Sequence, residues 1–191
     1  MIDPDDTVVV MINCNTEFFR HTFSKMEFLM GMDYMNSFIS SYNVPVIFTR
    51  RELSYDIRNP DLKKMKDFKE KNRKKNMPTE SDYDENFIKE FNRKIIIKDE
   101  IKVQKEDIFY HSNIESILES TGKKTILFGG FFTDTDVFIS SIGASMLEYR
   151  SIVVSDISST YSERLYFQSL EMISQFIDVI DTRDLGVDFP L

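Results

Sequence analysis

The residues with the clearest chemical potential follow a short apolar segment at residues 125–128. Gly129 and Gly130 come next, and a stretch of Phe, Thr and Asp leads to Asp136, where a pattern typical of a helix begins. Glycine tolerates positive φ and close backbone approach, and a helix start presents unpaired N–H groups and the positive end of its dipole. We call residues 129–136 the elbow, and we expect it to hold an anion or a carbonyl oxygen beside Asp136.

Two interpretations of Asp136 follow from its position. As an acid at a helix start it complements the dipole, which is worth about 0.3–1 kcal/mol when the side chain is exposed. As a carboxylate nucleophile it would attack an acyl or ester carbon, which carboxylates do in other folds. The sequence leaves both interpretations open.

The elements around the elbow alternate between strand and helix patterns. Residues 7–12 form a continuous β-branched and apolar run, typical of a parallel strand that is covered on both faces. Helical spacing in residues 22–41 and a strand pattern at residues 44–49 complete a βαβ unit. Similar alternation continues to residue 181. We therefore predict an α/β fold, a three-layer α/β/α sandwich with a central, mostly parallel, Rossmann-like sheet.

Three polar side chains follow predicted strands and are expected to meet. Asn13 follows the first strand, Lys105 follows a strand-rich segment that ends near residue 103, and Asp136 follows the elbow. Ligands of open α/β sheets gather beyond the carboxyl ends of the strands. The three residues are therefore candidates for one pocket, although Lys105 also fits a surface lysine in a segment rich in Lys, Glu and Asp.

A polar, charged excursion interrupts this alternation at about residues 51–94. Pro60 and Pro78 divide it, which favours a long surface crossing with one or two short helices. Its residues 63–75 are densely basic. We favour a solvated helix or loop with charge pairs over a patch for nucleic acid or another anionic partner.

The amino-acid composition limits the number of domains and the kinds of partner that the chain can have. A chain of 191 residues with 41% hydrophobic residues suits one globular domain over residues 1–191. The net charge of −8 argues against general nucleic-acid binding, and no apolar run reaches membrane-spanning length. The single Cys14 excludes an intramolecular disulfide and favours the cytoplasm, while His21 and His111 form no metal motif. We expect no metal and no cofactor.

The elbow and its neighbouring segments resemble the isochorismatase-like hydrolases, also called the cysteine hydrolase superfamily. That family's elbow commonly ends in a Cys, and a helix of small residues follows it. The resemblance continues in order along the chain, at residues 8–19, 44–50, 103–110, 130–144, 151–159 and 169–173. It implies the same three-layer fold and assembly as a homo-oligomer, a dimer or larger.

The resemblance also implies positions for a catalytic triad. In the family an Asp, a Lys and a Cys act together, and these positions fall on Asn13, Lys105 and Asp136. An amide cannot accept the proton that the family's Asp accepts, so Asn13 is a strand-end cap or a ligand contact. Lys105 is implied to pair with Asp136, and this pair together with helix amides should depress the pKa of Asp136.

Further site features are implied by the same resemblance. Phe131 and Phe132 fall where the family often has a cis peptide beside an oxyanion hole, and we expect Phe131, Phe132, Asn15 and Phe18 to contact the ligand. The metal ligands of some members are absent from residues 50–55. Cys14 should face the core, because successive strand residues point to opposite faces.

Two functional hypotheses result. In the first, the chain is a catalytically silent or strongly altered family member that binds a small molecule. In the second, it is a divergent hydrolase of a small amide, ester or vinyl ether that uses Asp136 and Lys105. A pocket plugged by Phe131 and Phe132 would favour the first.

Overall fold

A sheet of six parallel strands forms the centre of the molecule. The computed structural model describes residues 2–52, 57–77 and 84–186. Within these residues the strand order is β3-β2-β1-β4-β5-β6, and every neighbouring pair is parallel. The bounds are β1 (Thr7–Ile12), β2 (Val46–Arg51), β3 (Glu100–Val103), β4 (Thr125–Phe131), β5 (Arg150–Ser159) and β6 (Asp178–Ile180). The predicted fold class is confirmed.

Helices connect these strands. They are α1 (Thr16–Phe19), α2 (Lys25–Tyr42), α3 (Pro60–Lys75), α4 (Asp84–Lys94), α5 (Ile114–Thr121), α6 (Phe138–Met146) and α7 (Glu163–Ile173), with a π-helical turn at Thr133–Val137. The excursion contains α3 with 16 residues and α4 with 11 residues, so its helices are longer than predicted.

The side chains of β1 show how the layers form. Val9 and Met11 pack into a core with α2 and α4, whereas Val8, Val10 and Ile12 pack into a second core with α5, α6 and α7. All five are essentially inaccessible to solvent. Because helices cover both faces, both sets of alternating residues must be apolar, which explains the uninterrupted run.

The order of the strands determines where a ligand site can form. The chain moves outward from β1 to β3 on one side and from β4 to β6 on the other. The carboxyl ends of β1 and β4 are therefore the topological switch point, where the crossovers diverge and leave a crevice. Asn13 directly follows β1, and the elbow begins in the last three residues of β4, so both lie at this point.

Candidate functional site

The elbow bends the chain sharply between β4 and α6. The peptide bond between Phe131 and Phe132 is cis, a point that the sequence left open. The carbonyl oxygen of Phe132 then accepts hydrogen bonds from the N–H groups of Thr135 and Val137, at 3.1 and 3.2 Å. This turn is π-helical, a form that is often found at functional sites. It contains Asp136, whose side chain is only 1% exposed.

The carboxylate of Asp136 is held from several sides. Arg51 Nε lies 2.7 Å from Oδ1, and the Thr135 hydroxyl donates to Oδ2 at 3.0 Å. The Arg51 N–H does not point along the line to Oδ1, so this contact is an ion pair rather than a hydrogen bond. The side-chain amide of Asn13 also stabilises the charged form.

Burial has the largest effect on the pKa of Asp136. It raises the pKa of Asp136 to about 6, although Arg51, Thr135 and Asn13 all favour the charged form. The prediction of a depressed pKa is therefore wrong. Because the carboxyl group is almost completely removed from water, its lost hydration outweighs the attraction of one guanidinium group.

Asn13 joins the ends of three strands. Its Nδ2 donates to the carbonyl oxygen of Phe131 at 2.8 Å, and its Oδ1 accepts from the N–H of Arg51 at 2.6 Å. Its backbone has a positive φ of 52°, a region in which Asn is enriched. The interpretation of Asn13 as a strand-end cap is confirmed, and the same side chain also reaches Asp136.

Lys105 takes a different position from the one implied. Its Nζ lies 5.7 Å from the centre of the Tyr110 ring, and Arg51 is the cation that pairs with Asp136. The next residue, Glu106, enters the site instead, with Oε1 at 3.3 Å from Arg51 Nη1. Asp136 therefore pairs with Arg51 and not with Lys105 as expected. Glu106 is a second carboxylate in the site, and it also contacts Arg51.

Ion pairs extend from the elbow to the helix α3. Arg51 contacts both Asp136 and Glu106, and Lys66 contacts both oxygens of Glu106 at 3.1 Å. Partial burial acts to raise the pKa of Glu106, but backbone hydrogen bonding, Lys66 and Arg51 together keep it below its usual range. Arg51 could have been predicted as a site residue from the sequence, because it ends β2 at the same sheet edge as Asn13.

Arg73 attaches the other end of α3 to the elbow. Its Nη2 lies 2.7 Å from Asp134 Oδ2, and its Nη1 donates to the Thr135 hydroxyl at 3.2 Å. The guanidinium carbon stands 5.6 Å from the ring centre of Phe132 and 5.5 Å from that of Tyr161. Sequence reasoning missed this residue, because its basic neighbours made it look like one of many solvated charges.

In the described part of the chain, two clefts lie between α3 and the elbow. The larger has a volume of about 590 Å³ and is lined by polar groups that include Arg51, Lys66, Arg73, Glu106 and Thr135. We call it the elbow cleft. A smaller aromatic cleft of about 290 Å³ adjoins it, and its lining includes Phe18, His21, Met77 and Phe132.

The expected ligand-contacting residues divide between the clefts and the core. Phe18 and Phe132 line the aromatic cleft, with ring centres 5.1 Å apart. Phe131 is instead fully buried, and its ring lies 4.8 Å from that of Phe28 in the core. It belongs to the core because β4 extends to Phe131, whose side chain points to the sheet face that α2 and α4 cover.

Asn15 caps a helix, and Cys14 lies in the hydrophobic core. Asn15 Oδ1 accepts from the N–H of Phe18 at 3.1 Å and so caps α1. Cys14 is 1% exposed and packs in the core, as predicted. Burial raises the pKa of its thiol, which makes the thiolate a poor candidate for a substitute nucleophile.

Arg73 offers a direct test of how α3 is attached. Replacing Arg73 by Ala should accelerate hydrogen exchange of the α3 amides by about tenfold, because a hydrogen bond to a charged group is worth about 1.5 kcal/mol or more. Exchange measured by mass spectrometry would check this. Arg93→Ala is the matched control, because Arg93 pairs with Glu90 on an exposed surface. Equal exchange in the two variants would contradict the assigned role.

The described part of the chain contains no candidate metal cluster and no helix suited to spanning a membrane. Among residues 2–52, 57–77 and 84–186, no three or more His, Cys, Asp and Glu side chains cluster in a way that could hold a metal ion. Within the same ranges, no helix combines the length and apolar character needed to span a bilayer.

The chain is similar to known proteins in sequence pattern and in fold. The family model of the isochorismatase domain matches residues 7–184. No curated protein sequence matches this chain at a significant level. An isochorismatase family protein from Burkholderia thailandensis has 16% identity and a TM-score of 0.68, with 96% of this chain and 95% of that chain covered.

Other solved structures share the fold at lower identity. The YcaC gene product of Escherichia coli, an octameric hydrolase of unknown specificity, has 13% identity and a TM-score of 0.66, with 96% of this chain and 79% of that chain covered. MAR1 ribonuclease from Caenorhabditis elegans has 11% identity and a TM-score of 0.66, with 99% and 86% covered. At such identities the likeness is one of fold, and different activities occur on it.

Proposed function

This chain belongs to the isochorismatase family, and we propose that it binds a small molecule in the elbow cleft without the cysteine-dependent hydrolysis of that family. The resemblance assigns the family's Asp, Lys and Cys positions to Asn13, Lys105 and Asp136. Neither an amide at the first position nor a carboxylate at the third can repeat the chemistry of a thiolate with a neighbouring base.

One observation carries this proposal. The Asp136 carboxylate is 1% exposed, and its two oxygens contact Arg51 and Thr135. A nucleophile must approach its substrate to about van der Waals contact, and a carboxylate enclosed by its own partners is poorly placed to do so. The elbow cleft next to it, with polar groups on several sides, is suited to binding.

A divergent hydrolase remains the second candidate, and one property of Asp136 favours it. Its pKa of about 6 is well above the usual value for an aspartate, and shifts of this size are enriched at functional sites. In this alternative Asp136 acts on a small amide, ester or vinyl ether. The family resemblance pairs Asp136 with Lys105, but Arg51 is the cation in contact with it.

A single panel of small molecules tests both candidates. Turnover of amides, esters and isochorismate is measured beside calorimetric binding of the same molecules, in the parent and in Asp136→Asn and Lys105→Ala. Binding without turnover in the parent is the expected result. Turnover that disappears in Asp136→Asn would replace this proposal by the hydrolase, and absence of both binding and turnover across the panel would count against a ligand-binding role.

We also propose that the protein assembles as a homo-oligomer in a reducing compartment such as the cytoplasm. The E. coli relative is octameric, and large apolar side chains such as Met146 and Phe176 are 78% and 69% exposed here. Sedimentation velocity would show a multiple of the 22.5 kDa chain mass. The free thiol of Cys14 is compatible with the proposed compartment.

A further inference from the structure

Helix α3 forms on local signals and adds no residue to either core. Asn59 Oδ1 accepts hydrogen bonds from the N–H groups of Asp61 and Leu62, at 3.0 and 3.2 Å, and Pro60 occupies the first turn. Basic residues in the last turn complement the helix dipole. None of the residues of α3 is buried. The helix therefore presents most of its side chains to solvent.

Positive charge is concentrated on this helix. Eight of the 16 residues of α3 are Lys or Arg, and three are Asp or Glu. The whole chain has a net charge of −8, so the surface outside α3 is strongly acidic. A polyanion would be attracted to α3 and repelled elsewhere, which would restrict its binding to one orientation.

The basic residues of α3 divide between two faces. Lys66 and Arg73, seven positions apart, point to the body of the protein and pair with Glu106 and Asp134. A second set follows helical spacing on the opposite side and reaches about 16 Å along the axis at 1.5 Å per residue. This outer face of α3 consists of Lys64, Phe68, Lys71 and Lys75.

The outer face combines charge with an exposed aromatic ring. Phe68 is 62% exposed, and Lys71 and Lys75 are also exposed. Lys64 makes only a loose pair with Asp61, at 3.9 Å and with side chains 82% and 94% exposed. Such an exposed pair contributes little and is easily exchanged for another anion.

We propose that the outer face of α3 binds single-stranded nucleic acid. Lysines at this spacing can neutralise successive phosphates of a flexible strand, and a base can stack on the ring of Phe68 between them. Aromatic rings within a basic surface are the usual combination for single-strand binding without sequence readout. This surface is distinct from the elbow cleft, which lies on the side of α3 that carries Lys66 and Arg73.

Other partners fit the outer face less well. A stable contact between protein copies needs about 800 Å² from each partner, and lysine is depleted at such interfaces. An acidic protein segment would satisfy the lysines, but it would gain little from an aromatic ring placed among them. Stacking bases use both features at once.

The test is fluorescence anisotropy with labelled single-stranded RNA of about 12 nucleotides, between about 50 and about 200 mM KCl. The expected result for the parent is saturable binding that weakens with salt. Replacing Lys64, Lys71 and Lys75 together by Gln should weaken binding by at least about tenfold at the low salt concentration. It should also reduce the slope of log K against log salt by about 2, since each phosphate contact on a single strand contributes about 0.7.

Phe68→Ala separates stacking from charge. It should weaken binding by about fivefold to about 160-fold and leave the salt slope unchanged, because a stacked base is worth about 1–3 kcal/mol and involves no released counterion. The matched charge control replaces Lys89, Lys98 and Lys124, which are exposed lysines outside α3. Circular dichroism would verify that each variant remains folded.

The possible outcomes decide the proposal in either direction. Loss of affinity in the α3 triple variant and in Phe68→Ala, with parent-like binding in the control, would support it. Equal weakening by the two triple variants would overturn it, as would absence of binding by the parent at low salt. Competition by polyglutamate as strong as by unlabelled RNA would assign the face to an acidic protein partner. Dissociation of a homo-oligomer in the α3 triple variant, without any RNA binding by the parent, would assign it to a second copy of the chain.

Discussion

Replacing Arg51 by Met should lower the free energy of unfolding by about 3–5 kcal/mol near pH 7.5, because removing one partner of a buried ion pair leaves an uncompensated charge. Arg51 is 9% exposed, its Nε lies 2.7 Å from Asp136 Oδ1, and its Nη1 lies 3.3 Å from Glu106. Glu106 keeps Lys66 in the variant. Asp136 is left without its cation, so the loss is expected to come mainly from that carboxylate.

The pH dependence of the same variant follows from the direction of the pKa shift. The pKa of Asp136 is raised to about 6 in the folded protein, compared with about 3.9 in an unfolded chain. Binding of a proton by Asp136 therefore stabilises the folded state fully below about pH 3.9, and this contribution is lost as the pH rises through 6. Without Arg51 the pKa should rise further. The deficit of the variant should thus shrink by more than about half near pH 5, when Asp136 is neutral.

Urea unfolding at both pH values would measure these differences, and two further variants make the experiment specific. Arg50→Met is the matched control on the same strand, because Arg50 is 47% exposed and its pairs with Glu17 and Glu100 are 3.9 and 4.0 Å long. It should cost less than about 1 kcal/mol. The double variant Arg51→Met, Asp136→Asn should regain most of the lost stability, since no unpaired carboxylate remains. Similar small losses for Arg50 and Arg51 would contradict the buried ion pair.

Replacing Gly130 by Ala should have an equally large effect, with a loss of more than about 4 kcal/mol or failure to accumulate folded protein. Gly130 has a φ of 105°, and a Cβ atom there would lie 2.0 Å from the carbonyl oxygen of Ile12. The obstacle is backbone of the neighbouring strand β1, which cannot move without breaking its pairing with β4. The elbow thus depends on a glycine at this position.

A substitution at a second glycine measures the energetic cost of a positive φ without a steric clash of the new Cβ atom. Gly122 has a φ of 68°, and no described atom lies within 4 Å of a Cβ built there. Gly122→Ala should therefore cost only about 1–2 kcal/mol, the usual penalty of the left-handed region. Thermal unfolding of both variants would test this contrast. Comparable stabilities would show that β1 can move away from the elbow, contrary to the tight packing of the two strands.

The elements were predictable where local composition and tertiary position agreed. β1 has the predicted bounds because its residues are covered on both faces and are therefore all apolar. β5 is longer than its apolar run, and Ser158 and Ser159 at its end pair with Gly130 and Phe131. Polar residues carry no strand signal of their own. Their conformation is decided by hydrogen bonding to the neighbouring strand.

The site was predictable to the same extent. Sequence placed Asn13 and Asp136 together, because residues that follow adjacent parallel strands must meet at one edge of the sheet. It missed Glu106 because its neighbour Lys105 matched the family pattern. It also missed Arg73, which lies far from the elbow in sequence and reaches it only through the folding of the excursion.

The fold and the family could be inferred from the sequence, because they depend on local patterns and on the order of motifs along the chain. The tertiary structure alone decided the charge state of the site. Whether the pKa of Asp136 rises or falls depends on how much water reaches it and which cation approaches it. Burial and cation contacts are set by distant segments packing together. The sequence therefore indicated a carboxylate at the elbow, and only the fold determined that it is buried against Arg51.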